Sequence, residues 1–196
     1  MSEAAGAETC AQCATTLTPE TRIASGGRVF CSACYASLRA ELEQAVSAMS
    51  RDVNYAGAFL GALLGGAAGA LAWWGFTAMT HIALGLIAVG IGFLVGHAVV
   101  RFSGGKRTAG LQALSVGVAV ASFLVASFLV NMTLINEVLA QRGDTQRVSF
   151  PPASLEQGFT VLSAGFGVMD LVFLAIVIYE AWKIPRPLKL PPSAAA

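Results

Sequence analysis

Four cysteines stand in two tight pairs near the start of the chain, and they are its only cysteines. Cys10 and Cys13 enclose two residues, seventeen residues follow, and Cys31 and Cys34 enclose two more. A two-residue gap lets two thiolates turn onto one ion, and the longer gap folds the second pair back to complete a tetrahedron. Because four sulfurs leave no position for water or substrate, the spacing predicts one structural Zn²⁺ per chain. An iron centre of rubredoxin type and a redox-active dithiol are the alternatives for these residues.

A short, turn-rich segment must position these cysteines, and a helical pattern follows it. Gly26-Gly27 separates two apolar-polar runs and predicts a hairpin. We therefore expect a cytosolic zinc knuckle at 1–34, folded by its metal because so short a segment buries little apolar surface. An amphipathic linker helix is expected at 35–52, either as a packing helix that leads into the membrane or as a dimerising stalk. Its apolar stripe consists of Leu38, Leu42, Ala45 and Met49.

The cysteine segment resembles the zinc-ribbon and treble-clef knuckles, including the LIM and B-box-like groups. The resemblance rests on the four cysteines together with Gly27 and Phe30, and on a helix that follows the last cysteine. It implies a structural zinc site and, most often, a protein partner. A second stretch, from Gly92 to Gln112, is similar to a segment of uncharacterised bacterial multi-span membrane proteins that carry an N-terminal four-cysteine knuckle. That similarity implies a shared architecture and no activity.

Charged residues are scarce and unevenly placed along the chain. Of its 196 residues, 56% are hydrophobic and 12% are charged, about half the charged share of a typical soluble domain. No charge occurs from Val53 to Val100 or from Thr108 to Asn136. Such stretches exceed the ~20 residues that cross a bilayer, so a single soluble domain is excluded and an integral membrane protein is predicted. The net charge of +1 favours no nucleic-acid partner.

The apolar stretches predict an all-α membrane domain at 53–183. We expect four transmembrane helices, a tight turn at Gly75-Phe76-Thr77 between the first two, and a capping box at Ser154-x-x-Gln157 before the fourth. Pro185 and Pro187 end the last helix, and the Pro/Ala tail at 184–196 is expected to be disordered. The predicted spans are about 53–75, 78–100, 110–136 and 158–182.

Basic residues near the span ends predict the orientation. Seven lie on one side and two on the other, which places both termini in the cytosol of a bacterial inner membrane. The first eight residues lack a basic region and an apolar core, so no signal peptide is expected there. Interfacial positions are predicted for four aromatic residues: Trp73, Trp74, Tyr179 and Trp182.

Glycines recur at every fourth position in the first two predicted spans. In lipid, such ridges let helix backbones approach closely. They predict either docking of helices within one chain or a glycine-zipper interface between the subunits of a homo-oligomer. The residues concerned are Gly57, Gly61, Gly65 and Gly69 in the first span, and Gly92 and Gly96 in the second.

Asp170 is the one acid placed deep inside a predicted span, ~18 Å from the span's start by helical rise. A charge there costs at least ~2.5–3.5 kcal/mol, so it is a functional candidate by default. Ser122 and Ser127 of the antiparallel third span fall at nearly the same depth, and Asn131 lies one turn further out. We expect a protonated or hydrogen-bonded carboxyl, which serves either as a proton or cation site or as a bond between two helices.

Three bases cluster in the loop between the second and third predicted spans. Arg101, Lys106 and Arg107 predict contacts with anionic lipid headgroups, unless they act only as topology determinants. The glycines of this loop do not form a Walker motif, which requires glycine at position 100 and Ser or Thr at position 107.

No nucleophile and base pair, open metal site or cofactor motif is found, so no enzyme is expected. The sequence predicts a membrane-anchored zinc-binding protein that acts as a scaffold, adaptor or regulatory subunit through its cytosolic knuckle. Its partner would be a cytosolic or membrane protein. The alternative function is a small oligomeric transporter or channel with Asp170 in the ion or proton pathway.

Overall fold

The computed structural model describes residues 8–82 and 84–188, in two compact units. The first is an N-terminal module that reaches Met49, and the second is a helical unit, Ser50–Pro187. The tail predicted to be disordered lies outside the described residues from position 189 onward.

The N-terminal module consists of two small hairpins and a helix. Its strands pair antiparallel, and Ser25 opposite Arg28 leaves Gly26 and Gly27 as a two-residue turn. Both glycines have positive φ, +59° and +76°, which is the backbone of a type I′ turn, so the predicted hairpin is confirmed. The elements are β1 (Glu8–Thr9), β2 (Thr16–Leu17), β3 (Arg22–Ser25), β4 (Arg28–Cys31) and α1 (Ser32–Ala48).

Helix α1 begins at Ser32, before the predicted start at position 35. Cys31 is its N-cap, because the Cys31 Sγ accepts a hydrogen bond from the Cys34 backbone N–H at 3.4 Å. Tyr35 and Leu38 pack against the module's buried core of three residues, Cys10, Leu17 and Phe30. The first turns of α1 therefore belong to the core of the module.

The helical unit contains five helices, and three or four segments are long and apolar enough to cross a membrane. The three continuous ones are α2, α3 with the 3₁₀ turn before it, and α4, while α5 and α6 qualify only as one bent segment. These helices are consistent with an integral membrane protein. Their bounds are α2 (Tyr55–Thr80), the 3₁₀ turn (Gly85–Ala88), α3 (Val89–Phe102), α4 (Ala109–Gln141), α5 (Leu155–Ala164) and α6 (Val168–Lys183).

The first connection differs from the predicted one. Helix α2 continues through Gly75-Phe76-Thr77 to Thr80 and ends at His81, whose left-handed φ of +57° closes the helix. A glycine alone does not stop an apolar helix, because every freed backbone group would need a new partner. The turn therefore lies after His81, whose Nδ1 is 2.6 Å from the Glu137 carboxylate of α4.

The fourth predicted span is broken. Helix α5 starts where the capping box predicts, since Ser154 Oγ accepts from the Gln157 backbone N–H at 3.1 Å. It ends at Ala164, and α6 leaves the break at an angle of 103°. The segment at 158–182 is thus two helices that meet at Gly165-Phe166-Gly167, and not one continuous helix.

The core of the helical unit lies where α2 packs along α3 and α4, and where α6 packs against α3 and α4. Phe123, Ile91 and Leu111 are fully buried there. Leu60 and Leu64 of α2 remain largely exposed, as expected for side chains that face lipid.

Candidate functional site

The two hairpins and the start of α1 bring all four cysteines together. Cys10 and Cys13 come from the turn between β1 and β2, Cys31 ends β4, and Cys34 lies in the first turn of α1. Their four Sγ atoms all lie within 4.8 Å of one another. All four are free thiols, and none is paired in a disulfide. The four predicted ligands thus form one cluster.

Backbone hydrogen bonds shape the first cysteine turn. The Cys10 N–H donates to the Thr15 carbonyl at 2.9 Å, and the Ala14 N–H donates to the Cys10 carbonyl at 3.0 Å. Ala14 adopts a positive φ of +58°, which turns the chain sharply after Cys13. The Ala11 N–H donates to the Val29 carbonyl at 2.9 Å and so ties this turn to the second hairpin.

The sulfur geometry fits a tetrahedral metal ion. Four sulfurs at about 2.3 Å from a zinc ion lie about 3.8 Å apart along each edge of the tetrahedron. The Sγ atoms of Cys13 and Cys31 are 3.8 Å apart. In addition, the Cys31 backbone N–H donates to the Cys10 Sγ at 3.4 Å, a bond that favours thiolate over thiol. The cluster is compatible with one structural metal ion.

The thiols do not ionise equally when no cation lies among them. Backbone N–H groups of Cys13 and Cys31 lower the pKa of Cys10 to about 6, and the Thr15 hydroxyl lowers the pKa of Cys13. The neighbouring Cys31 thiol raises the pKa of Cys34 to about 12. Four negative sulfurs this close repel one another, so a bound cation is what allows all four to act as thiolate ligands.

The predicted polar cluster around Asp170 forms only in part. Ser127, Asn131 and Asp170 line one cavity of about 230 Å³ in the helical unit. Ser122 lies elsewhere, against α2, where a Cβ added to Gly66 would overlap its Oγ.

Asp170 was predicted deep inside one continuous helix. In the structure it lies in the first turn of α6. Its Oδ2 accepts a hydrogen bond from the Gly167 backbone N–H at 2.8 Å. An acid at this position is favoured by the N-terminal end of the helix dipole. The pattern Gly165-x-Gly167-x-x-Asp170 is a helix-end and helix-start signal that the hydropathy pattern concealed.

Trp73 is the lining residue that sequence reasoning missed. Its predicted position at a membrane interface stays a prediction; within the helical unit only 3% of it is exposed, and it lines the cavity with Asp170. Its neighbour Trp74 donates from Nε1 to Thr133 Oγ1 of α4 at 3.0 Å. Trp73 and Trp74 of α2 therefore both make contacts within the helical unit.

The glycine ridges face other helices of the same chain. A Cβ on Gly61 would lie 2.7 Å from the Phe102 side chain, and one on Gly65 would lie 2.9 Å from the Leu94 carbonyl oxygen. Gly57 and Gly69 of α2 are equally close to α3, while Gly92 and Gly96 of α3 approach Val177 and Ile184.

The basic loop also makes a contact inside the chain. The Arg107 Nη1 donates to the Ile184 carbonyl at 2.6 Å, at the C-terminal end of α6. Arg101 is exposed, and Lys106 is half-buried. Headgroup binding by these residues stays a prediction.

Comparison of the chain with protein-family models, with curated proteins and with solved structures returns no match. The resemblance to zinc knuckles therefore rests on the cysteines and on the elements that hold them.

Proposed function

We propose that this protein is a membrane-anchored zinc protein that holds a protein partner at the membrane, as a scaffold, adaptor or regulatory subunit. The observation that carries the proposal is the cluster of four Sγ atoms within 4.8 Å in a chain that also has three or four helical segments apolar enough to cross a membrane.

Zinc is the metal that this donor set favours. Four thiolates in a tetrahedron suit Zn²⁺ or an iron centre, and a small module that lacks a large core commonly folds around zinc. The order of a cysteine turn, a hairpin and a helix that carries the last ligand supports assignment to the treble-clef class. With four protein ligands the ion has no open position, so its role is structural.

A binding role follows from what the zinc module leaves uncovered. No residue of α1 is fully buried, and Leu42 is 47% exposed beyond the turns that pack on the cysteine core. This exposed apolar position, on a helix whose charged residues are Arg39, Glu41 and Glu43, suits a protein partner better than a nucleic acid. Positive-inside asymmetry favours a cytosolic module, with both termini inside the bacterial inner membrane.

Metal content tests the first part of the proposal. Full-length protein purified in detergent is expected to contain about one zinc per chain by elemental analysis. Cys31→Ser keeps a side-chain oxygen that can cap α1 but loses a ligand, so we expect zinc content to fall to the background. Ser32→Ala, at the next position, should retain it. A visible iron absorption band would overturn the assignment.

Partner capture tests the second part. Mild cross-linking in native membranes, followed by purification and mass spectrometry, should recover one recurrent partner with the parent chain. Cys31→Ser should lose that partner, while Asp170→Asn should keep it, because the adaptor function depends on the zinc module alone. A partner that is insensitive to Cys31→Ser and lost in Asp170→Asn would contradict the adaptor function and favour the transporter or channel.

A further inference from the structure

The break between α5 and α6 turns the chain through about a right angle. Helix α6 leaves α5 at 103°. With its two cap residues, at positions 167 and 184, α6 is ~27 Å long by helical rise. The hydrocarbon layer of a bilayer is ~30 Å thick. If α6 alone crosses that layer, the angle directs α5 along the surface of the membrane and not through it.

The polar contacts of α4 with the bent segment lie at two levels. Near the start of α4, Gln112 donates to the Trp182 carbonyl at the end of α6. Further along, Asn131 donates to the Val161 and Leu162 carbonyls beside the break. Along α4 the two donors are ~28 Å apart by helical rise, which is again close to the ~30 Å of one hydrocarbon layer. The two ends of α6 therefore fit the two boundaries of a bilayer.

The far end of α4 is polar and extends beyond the level of the break. The whole helix is ~50 Å long by helical rise, and ~15 Å of it follows Asn131. This part contains Glu137, the first charged residue after Arg107. It also contains Asn136, whose side chain makes two hydrogen bonds of 2.8 Å with the Val148 backbone. Such groups suit headgroups and water, so the hydrocarbon layer ends near Asn131.

Helix α5 has an exposed apolar face beside an exposed polar one. Val161 is buried within the helical unit. Leu155, Phe159 and Leu162 follow spacings of four and three and share a face, on which Leu155 is 94% exposed and Phe159 73%. One position further on, about 100° round the helix, lie three exposed polar residues: Glu156, Thr160 and Ser163. This arrangement is typical of a helix that lies in the surface of a membrane.

Lipid is the partner that the apolar face of α5 fits. The next exposed apolar side chains, Val168 and Met169, follow directly after the break and belong to α6. The bilayer that surrounds a crossing α6 therefore also reaches the adjoining face of α5. Helix α5 contains one acid, Glu156, and no base, so apolar contact rather than attraction to anionic headgroups binds it to the surface.

We propose that one boundary of the bilayer lies at the break and that α5 is an interfacial helix. Leu155, Phe159 and Leu162 lie among the outermost acyl carbons, ~5–10 Å below the headgroup surface, and α6 crosses the membrane. Asp170, in the first turn of α6, then lies near the boundary, where water and headgroups reach it. This position avoids the cost of a charge at the centre of the bilayer. The proposal is independent of the adaptor function and of which side is cytosolic.

Fluorine NMR on full-length protein in phosphatidylcholine nanodiscs tests this placement. A single trifluoromethylphenylalanine is encoded in place of Leu64, Glu156, Phe159 or Met169, which are all exposed. Relaxation by dissolved oxygen measures depth in the hydrocarbon, and relaxation by a water-soluble nickel chelate measures contact with water. Position 64 lies midway along α2 between Tyr55 and the level of the cavity shared with Asp170, so it is the deep control. Position 156 is the control for water.

Positions 159 and 169 should both behave as boundary positions. We expect their oxygen effect to be at least about twofold below that at position 64, and their chelate effect at least about twofold below that at position 156. An oxygen effect at position 169 within twofold of that at position 64 would place the break inside the hydrocarbon and overturn the proposal. A chelate effect at position 159 within twofold of that at position 156 would place α5 in water. Loss of both effects at position 159 would show that protein covers it, and either result also rejects the interfacial helix.

Discussion

Single side chains that reach helix ends hold the helical unit together at the residue scale. The last carbonyl groups of a helix have no partner within it, and burial without partners is costly. At the end of α6, the Ile184 carbonyl accepts from Arg107 and the Trp182 carbonyl accepts from Gln112 Nε2 at 2.9 Å. Both donors lie at or before the first turn of α4, so this region caps α6 from outside.

Arg107 is therefore expected to contribute to stability as well as to topology. Arg107→Ala removes a charge-assisted, partly buried hydrogen bond, and we expect the free energy of unfolding of the helical unit to fall by about 1.5–3 kcal/mol. Arg101→Ala, in the same basic loop but exposed, should change it by less than about 0.5 kcal/mol. Denaturant unfolding in detergent micelles measures both. Equal effects of the two variants would show that the Ile184 contact is not stabilising.

Close approach of backbones organises the structure at the element scale. The glycines of α2 that face α3 leave no space for a methyl group, because the neighbours are backbone atoms or ring carbons. Lipid offers helices little hydrophobic reason to associate, so this close packing is a main source of attraction between them. The contacts within one chain explain the spacing of four residues without a second subunit.

Two glycines of α2 make a matched pair for testing this packing. A Cβ on Gly65 would lie 2.9 Å from the Leu94 carbonyl oxygen, whereas one on Gly75 would have nothing within 4 Å. We expect Gly65→Ala to destabilise the helical unit by about 1–3 kcal/mol through overpacking. Gly75→Ala should be neutral or stabilising by up to about 1 kcal/mol, because alanine favours the helix.

Thermal unfolding in detergent, together with the oligomer mass of each variant, distinguishes the two roles of the ridge. The intrachain role predicts a lower melting temperature for Gly65→Ala at unchanged mass. A smaller oligomer at unchanged melting temperature would instead assign the ridge to a subunit interface.

The break in the last membrane segment is also a property of elements in contact. Asn131 Nδ2 of α4 donates to the Val161 and Leu162 carbonyls near the end of α5, at 3.2 and 3.3 Å. A Cβ on Gly165 would overlap the Asn131 side chain, so the close approach requires glycine there. The hydrogen-bond donor that satisfies these carbonyl groups at the break thus comes from a different helix, α4.

At the scale of the whole molecule, the chain divides into two units with separate cores. The module core consists of cysteine ligands and a few apolar residues, and the core of the helical unit consists of residues from α2 to α6. The bent segment α5 and α6 decides how many times the chain crosses the membrane, since three other segments qualify without it.

Labelling with a membrane-impermeant thiol reagent in intact bacterial cells tests whether α5 and α6 together cross the membrane. If α5 and α6 together cross, Thr145→Cys in the loop after α4 should be labelled from outside. Leu188→Cys, after α6, should be labelled only once the cells are opened, because both termini are expected in the cytosol. The unmodified chain measures the background from the four module cysteines. Labelling of Leu188→Cys from outside would show that the bent segment enters and leaves on one side.

The metal cluster and the apolar helices follow from the sequence because both depend on local chemistry. Thiolate pairs with a two-residue gap meet one ion by their own geometry, and a long uncharged stretch in lipid must be helical to satisfy its backbone. The Gly26-Gly27 hairpin and the Ser154 cap are likewise encoded within a few residues, and the structure contains both.

The position of Asp170, the burial of Trp73 and the partner of Arg107 were decided by tertiary structure. The helix breaks at Gly165, where Asn131 packs closely and donates to carbonyls near the end of α5, and it continues through Gly75, where an added Cβ would have nothing within 4 Å. Hydropathy alone does not distinguish these two glycines, since the difference comes from a residue more than thirty positions away along the chain from Gly165. The charge pattern and the cysteine spacing therefore predicted an integral membrane protein with a metal-binding module, while helix contacts determined where Asp170 lies.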